Sequence, residues 1–357
     1  MPAKGTQDIS IIGAGLVGLA SAWRLAQRGA RVVVHEAGTI GGGASHVAAG
    51  MLAPVAEAEV GEAGRRLLAL SLRSLERWPG LAAELLEATG IDVGLLFGSL
   101  LVARDADEAE ALERELAFRA ARGLEVERLR PSEARRREPA LAPTLRLALD
   151  VPRDASVDPR RVVEALALAC RAAGVELRED DRVADVRDLP GRVVVAAGAW
   201  SAQLADVPVR PVKGQTLRLR DPAGPGLLDR VVRWDGGYLV PRSDGRYVLG
   251  ATQEERGFDT AMTAGGVHDL LRDCSELVPG VLELEVEELI AGLRPGTPDN
   301  APIIGASPGV PGLVWATGHH RNGALLTPVT GERVVRALAG DEPDAAFSPA
   351  RFAQVAA

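Results

Sequence analysis

The chain has 357 residues, 46% of them hydrophobic and 25% charged, with a formal net charge of -8. That length buries a large core and suits two domains, and the acidic balance excludes nucleic acid as the main partner, because phosphate backbones are held by basic stripes. No apolar run reaches the roughly 18 residues of a membrane span, and the two cysteines lack C-x-x-C or zinc spacing, which fits a reducing cytoplasm.

The start, "MPAK" followed by "IIGAGLVGLASA", imitates a secretion leader, but Asp8 precedes the apolar run and glycines punctuate it. Those glycines have a better explanation. "DISIIGAGLVGLASAWRLAQRGARVVVHE" predicts strand, glycine turn, helix, strand. Gly13, Gly15 and Gly18 form G-x-G-x-x-G, Leu16, Leu19, Ala20, Trp23 and Ala26 keep a helical period, and Gly29 closes the helix. Gly13 allows the tight turn, Gly15 lets backbone approach a pyrophosphate, and Gly18 lets helix and strand pack closely. The helix N-terminus offers its N–H groups to the phosphates. Glu36 ends the second strand, where it accepts from ribose hydroxyls and repels a 2'-phosphate, so NADP is disfavoured. The fingerprint alone does not separate FAD from NAD.

A second glycine-rich loop follows in "GTIGGGASHVAAGMLAP", leading into a short predicted helix at Ala44 and Ser45. It is placed to continue along an extended cofactor. Together the two loops resemble the flavin oxidoreductases of the D-amino-acid oxidase family, most closely its glycine-oxidising branch in thiamine biosynthesis. The resemblance implies non-covalent FAD held by Gly13, Gly15, Leu16, Val17, Gly18, Glu36, Ala37, Ala44, Ser45, Ala49, Gly50 and Met51.

Residues 62–89 read as helical, "FGSLLVARD" as a strand and "DADEAEALERELAFRAARG" as an exposed helix. "SVDPRRVVEALALACRAAGVEL" is a helix capped by Asp158, started by Pro159 and stopped by Gly174. "DRVADV" and "GRVVVAAGAWS" read as strands. The resemblance brings Val183 to the adenine end of the cofactor. "VPVRPVKGQTLRLR" and "GGYLVPRSDGRYVLGAT" alternate as antiparallel strands, with a hairpin turn at Ser243-Asp244-Gly245. Thr263 caps a helix, and "LELEVEELIAGLRP" reads as a buried strand returning to the first domain. The expected fold is α/β, a Rossmann-like FAD-binding domain (1–85, 150–205, 290–357) with a discontinuous antiparallel-sheet substrate domain (86–149, 206–289).

Chemistry concentrates late in the chain. Arg294 in "GLRPGTPD" either reaches solvent or waits for an anion that is not part of the protein. It matches the family's carboxylate-binding arginine, which grips an amino acid by two parallel hydrogen bonds. Tyr238 matches a pocket tyrosine reaching the same carboxylate. In "WATGHHRNGALLTP", His319, His320, Arg321, Asn322, Gly323, Ala324 and Leu325 match the stretch around the flavin's pyrimidine edge, with Arg321 facing the active site. The adjacent histidines lack metal-pair spacing. Lys213, one of only two lysines, reads as a strand-end charge. Gln253 stands where the better-known relative has an apolar methionine, which puts exclusivity for glycine in doubt.

The implied reaction is FAD-dependent oxidative deamination of glycine, or of a small N-substituted or D-amino acid, with molecular oxygen as acceptor and hydrogen peroxide as product. No side chain is assigned as a catalytic acid or base, and a homotetramer in the cytoplasm is implied by resemblance. The alternative is a D-amino-acid or sarcosine-type enzyme passing electrons to a non-oxygen acceptor. A binding or tRNA-modifying flavoprotein is disfavoured by the acidic balance.

Overall fold

The computed structural model describes residues 8–352, so the leader-like "MPAK" lies outside the described residues. In chain order the elements are β1 Asp8–Ile12, α1 Leu16–Ala26, β2 Arg31–His35, α2 Ala44–Val47, β3 Met51–Leu52, α3 Gly61–Leu75, α4 Trp78–Thr89, β4 Leu96–Ala103, α5 Ala106–Ala120, β5 Glu127–Leu129, α6 Pro131–Arg137 and β6 Leu147–Ser156. Then come α7 Pro159–Ala172, β7 Glu176–Arg178, β8 Arg192–Val195, β9 Arg210–Arg220, β10 Val231–Trp234, β11 Gly237–Pro241, β12 Arg246–Gly250, α8 Ala264–Leu277, β13 Glu285–Gly296, β14 Ile303–Ala306, β15 Leu313–Thr317 and α9 Gly323–Leu338.

Two sheets organise the chain. The first runs β14-β15-β8-β1-β2-β7, and all its pairings except β14 with β15 are parallel. Its inner strands read as continuous apolar runs because helices cover both faces; Ile11, Val34 and Val194 are fully buried against Leu19 of α1 and Leu166 of α7. The second sheet runs β13-β9-β12-β11-β10-β4-β6-β3, with β5 beside β6, and is antiparallel except between β4 and β10. Leu217, Leu239 and Leu249 fill one of its faces beneath Leu277 of α8. This mixed architecture is the fold expected from the sequence.

The caps act as their residue types dictate. The Asp158 carboxylate accepts from the Arg160 N–H at 3.0 Å, and the Thr263 hydroxyl accepts from the Gly266 N–H at 3.1 Å. Each satisfies a donor that a helix start leaves orphaned.

Three expectations are corrected. The helical stretch 62–89 breaks into α3 and α4 at Glu76 and Arg77. "DRVADV" is irregular and ends in a 3₁₀ turn at Val186–Asp188, because the Asp185 side chain accepts from the Arg187 N–H and turns the chain. "LELEVEELIAGLRP" is a strand, but β13 is the edge of the second sheet, paired along its length with β9. Val286 and Leu289 are about half exposed there, so its first half is not buried. The chain re-enters the first sheet at β14.

Candidate active site

Between the carboxyl ends of the first sheet and one face of the second lies a large cavity of about 1440 Å³. That exceeds the roughly 300–1,000 Å³ of pockets for single small ligands, and suits an extended dinucleotide with a substrate beside it. It opens where the strand order reverses around β1, as ligand sites in such sheets do.

The first wall is the glycine turn. Gly13 has φ +105°, and a Cβ there would lie 2.5 Å from the Ala196 carbonyl oxygen. A Cβ on Gly18 would strike the Gly13 carbonyl. Gly15 carries no side chain to cap α1, so the N–H groups after Leu16 are left for an anion. Ser45 crosses to accept from the Leu16 N–H at 3.1 Å, joining the two glycine loops. Glu36 accepts from the Ala14 N–H at 2.8 Å and the Gly38 N–H at 3.1 Å, and its two oxygens retain capacity for hydroxyl donors.

Gly13, Gly15, Leu16, Val17, Glu36, Ala37, Ala44, Ser45, Ala49, Gly50, Met51, Val183, His319, His320, Arg321, Gly323 and Ala324 all line the cavity, as do Arg294, Tyr238 and Gln253. Three expected cofactor residues do not. Gly18 sits behind the turn. Leu325 is in the core, where its carbonyl accepts from the Ser74 hydroxyl at 2.6 Å and the Trp78 indole N–H at 3.1 Å. Asn322 faces a small separate hollow with Glu59 and Arg321.

The second sheet supplies the other wall. Arg294 Nη1 donates to the carbonyls of Thr252 at 3.0 Å and Lys213 at 3.3 Å. Gly214 makes this seat, since any Cβ there would collide with the guanidinium. Arg294 is half-buried and has no acidic partner among the described residues. Burial raises the Tyr238 phenol pKa, although the nearby Arg294 guanidinium lowers it. The phenol is therefore neutral.

His319 and His320 are both buried, and burial lowers each to about 4; Arg321, Arg294 and Arg210 push His320 further the same way. His319 Nε2 is 2.9 Å from the Thr330 hydroxyl. No group of acids, histidines or cysteines able to hold a metal occurs among the described residues. Arg321 donates to Glu59 at 3.0 Å and its side chain is 38% exposed. It lines the cavity, as expected of it, while one end of its guanidinium pairs with Glu59. Lys213 is no strand-end charge. It is fully buried inside β9, with Nζ 2.9 Å from Asp259 and 4.0 Å from Glu254.

Sequence reasoning missed Thr252, Gly214, Glu57 and Arg233, all of which line the cavity. Arg233 had a signal. The turn at Asp235-Gly236 joins β10 to β11 and sets Arg233 directly opposite Tyr238, on the same face of the sheet.

A glycine cradle, an uncapped helix start, an acidic strand end and a second glycine loop on one cavity define an FAD-binding oxidoreductase of the two-sheet kind. The chain belongs to the FAD-dependent oxidoreductase family, whose sequence model matches residues 8–337. It is similar to the glycine oxidase of Geobacillus kaustophilus (strain HTA426), at 38% identity over 97% of this chain and 96% of that protein. The crystal structure of glycine oxidase from Geobacillus kaustophilus superposes with a TM-score of 0.89, over 96% of this chain and 98% of that one. The bifunctional protein ThiO/ThiG of Trichormus variabilis (strain ATCC 29413 / PCC 7937) is 33% identical over 96% of this chain, which spans 54% of that longer protein. The cofactor is FAD.

Proposed function

We propose that the enzyme oxidises glycine, and small N-substituted or D-amino acids, to the imine, which water hydrolyses to the 2-oxo acid, and that the glycine product feeds thiazole formation for thiamine. One observation carries this reading. A half-buried guanidinium is fixed by two backbone carbonyls, shares its cavity with a neutral phenol and has no acid of its own among the described residues.

FAD, held by the glycine turn, Glu36 and the second glycine loop, would supply a two-electron acceptor that oxygen could reoxidise, with hydrogen peroxide as product. The protein's part is position and electrostatics. Arg294 holds the substrate carboxylate with the N–H donors its carbonyl partners leave open, and Tyr238 donates to the same group. His320 stays neutral, so it adds no positive charge against the amine. The 13–18 turn, Glu36, the 44–51 loop and the 319–324 turn hold the cofactor.

The same proposal includes a homotetramer in the cytoplasm, the former readable by light scattering. Among the described residues no helix is long and apolar enough to cross a membrane. The test of function is anaerobic mixing with glycine, then oxygen. Flavin bleaching followed by peroxide and glyoxylate in equal amounts supports it. Flavin that stays oxidised overturns it, and bleaching without peroxide on admitting oxygen favours a non-oxygen acceptor.

A further inference from the structure

Arg233 is a cavity-lining charge with buried, unpartnered donors. Its side chain is 16% exposed, yet Nε and Nη1 are buried with no hydrogen-bond partner. Its nearest acid is Glu57, with Oε1 at 3.4 Å from Nη2, beyond ordinary hydrogen-bond length. A buried guanidinium left in this way is costly unless something fills its donor fork. Had Arg233 served only to hold Glu57, a two-pronged contact would be expected; the observed one is single and long.

Its place in the sheet says what would fill it. Arg233 pairs across the hairpin with Tyr238, so their Cβ atoms stand about 5 Å apart on one face. The charges of both Arg294 and Arg233 act on the Tyr238 phenol. Both line the same cavity.

We infer that Arg233 is a second anion subsite, and that the enzyme accepts amino acids carrying a distal carboxylate on the nitrogen or Cα substituent. The reactive carboxylate sits on Arg294 and the distal one on Arg233, displacing the loose Glu57 contact. Two guanidiniums then meet two carboxylates.

This rests on the proposed function, and the experiment separates the two. Oxydiacetate and its monoamide, which share a shape and lack an oxidisable amine, are titrated calorimetrically into the FAD-loaded enzyme and into Arg233→Met. The expected result is a tenfold or greater preference for the diacid in the parent, falling below threefold in the variant. Arg233→Lys, checked for FAD content, keeps part of the preference and guards against a misfolded Met variant. Equal affinity for diacid and amide in the parent, or a preference that survives in Arg233→Met, overturns the subsite. Iminodiacetate and its monoamide are then compared in anaerobic flavin reduction. If calorimetry shows the preference and no amine reduces the flavin, the subsite stands and the oxidase reading falls.

Discussion

The guanidinium of Arg294 rests on the backbone of Gly214, with Nη1 3.0 Å from the Thr252 carbonyl oxygen. Two carbonyls hold the cation and none of its bonds goes to a carboxylate. Arg294→Ala is expected to lose most activity on amino acids while keeping FAD. Removing one partner of a buried ion pair costs roughly 3–5 kcal/mol, or about two to nearly four decades in kcat/KM. Arg294→Lys recovers only part, because a point charge cannot make two parallel bonds. If the alanine variant holds FAD and turns over glycine within about threefold of the parent, a loss under about 1 kcal/mol, Arg294 does not hold the carboxylate.

Gly214→Ala tests the seat without touching the charge. The new methyl occupies the guanidinium's space, so the fork must swing from the carbonyls. A displaced clamp is expected to lower kcat/KM on the order of tenfold or more, with FAD content near the parent's. Normal kinetics in a flavin-loaded Gly214→Ala variant would show that the seat is unimportant.

The nucleotide end was legible because local rules decide it. A turn that admits no Cβ at Gly13 or Gly18 announces itself as glycine, and Asp158-Pro159 announces a helix start. The substrate end was legible only in part. Arg294 was found, but its seat at Gly214 and Thr252 depends on which strands lie side by side, and strand order is a long-range property. β13 misled because alternating Leu, Val and Ile suit a buried strand and an apolar edge equally, and only pairing with β9 alone decides between them. Lys213 misled because its partners, Glu254 and Asp259, lie more than forty residues on in a loop.

The flavin is expected to leave with the solvent on denaturation. Cys170 and Cys274 are buried, and burial pushes both thiols up, to about 12 for Cys170, so neither is a nucleophile for a covalent link. Heat-precipitated protein should give a yellow supernatant with the absorbance and mass of FAD. Gly13→Ala, strained at φ +105° and pressed on Ala196, should purify with little flavin. Colour remaining in the pellet, or a fully loaded Gly13→Ala, speaks against this account.

Anaerobic reduction by glycine should accelerate as pH rises through the range where the substrate amine loses its proton. The lone pair must be free for hydride to leave, and His320, lowered to about 4, is already neutral throughout. Tyr238 does not invert the trend, since its pKa is raised by burial. The reduction rate constant divided by Kd, followed from pH 6 to 10, reads this directly, and a flat profile contradicts it.

The same histidines set an acid limit on stability. His319 and His320 have folded values of about 4 against 6.5 when free. Between those values the unfolded chain binds protons that the folded chain refuses, so stability is fully present above pH 6.5 and is lost as pH falls towards 4. Each group contributes up to roughly 3 kcal/mol across that window. Asp154 works in the opposite sense. Burial raises it from 3.8 to about 7 although the N–H groups of Val55 and Ala56 pull it down, so it favours the folded state at low pH and loses that contribution as pH rises from 4 to 7. His319→Gln, which keeps a partner for Thr330, should flatten the fall of the urea midpoint between pH 6.5 and 4.5. Asp154→Asn, which has no proton to take up, should steepen the acid fall. Midpoints of the FAD-loaded proteins at four pH values decide it: a parent curve flat across the window in which His319→Gln changes nothing would mean that the buried histidines are not what acid attacks.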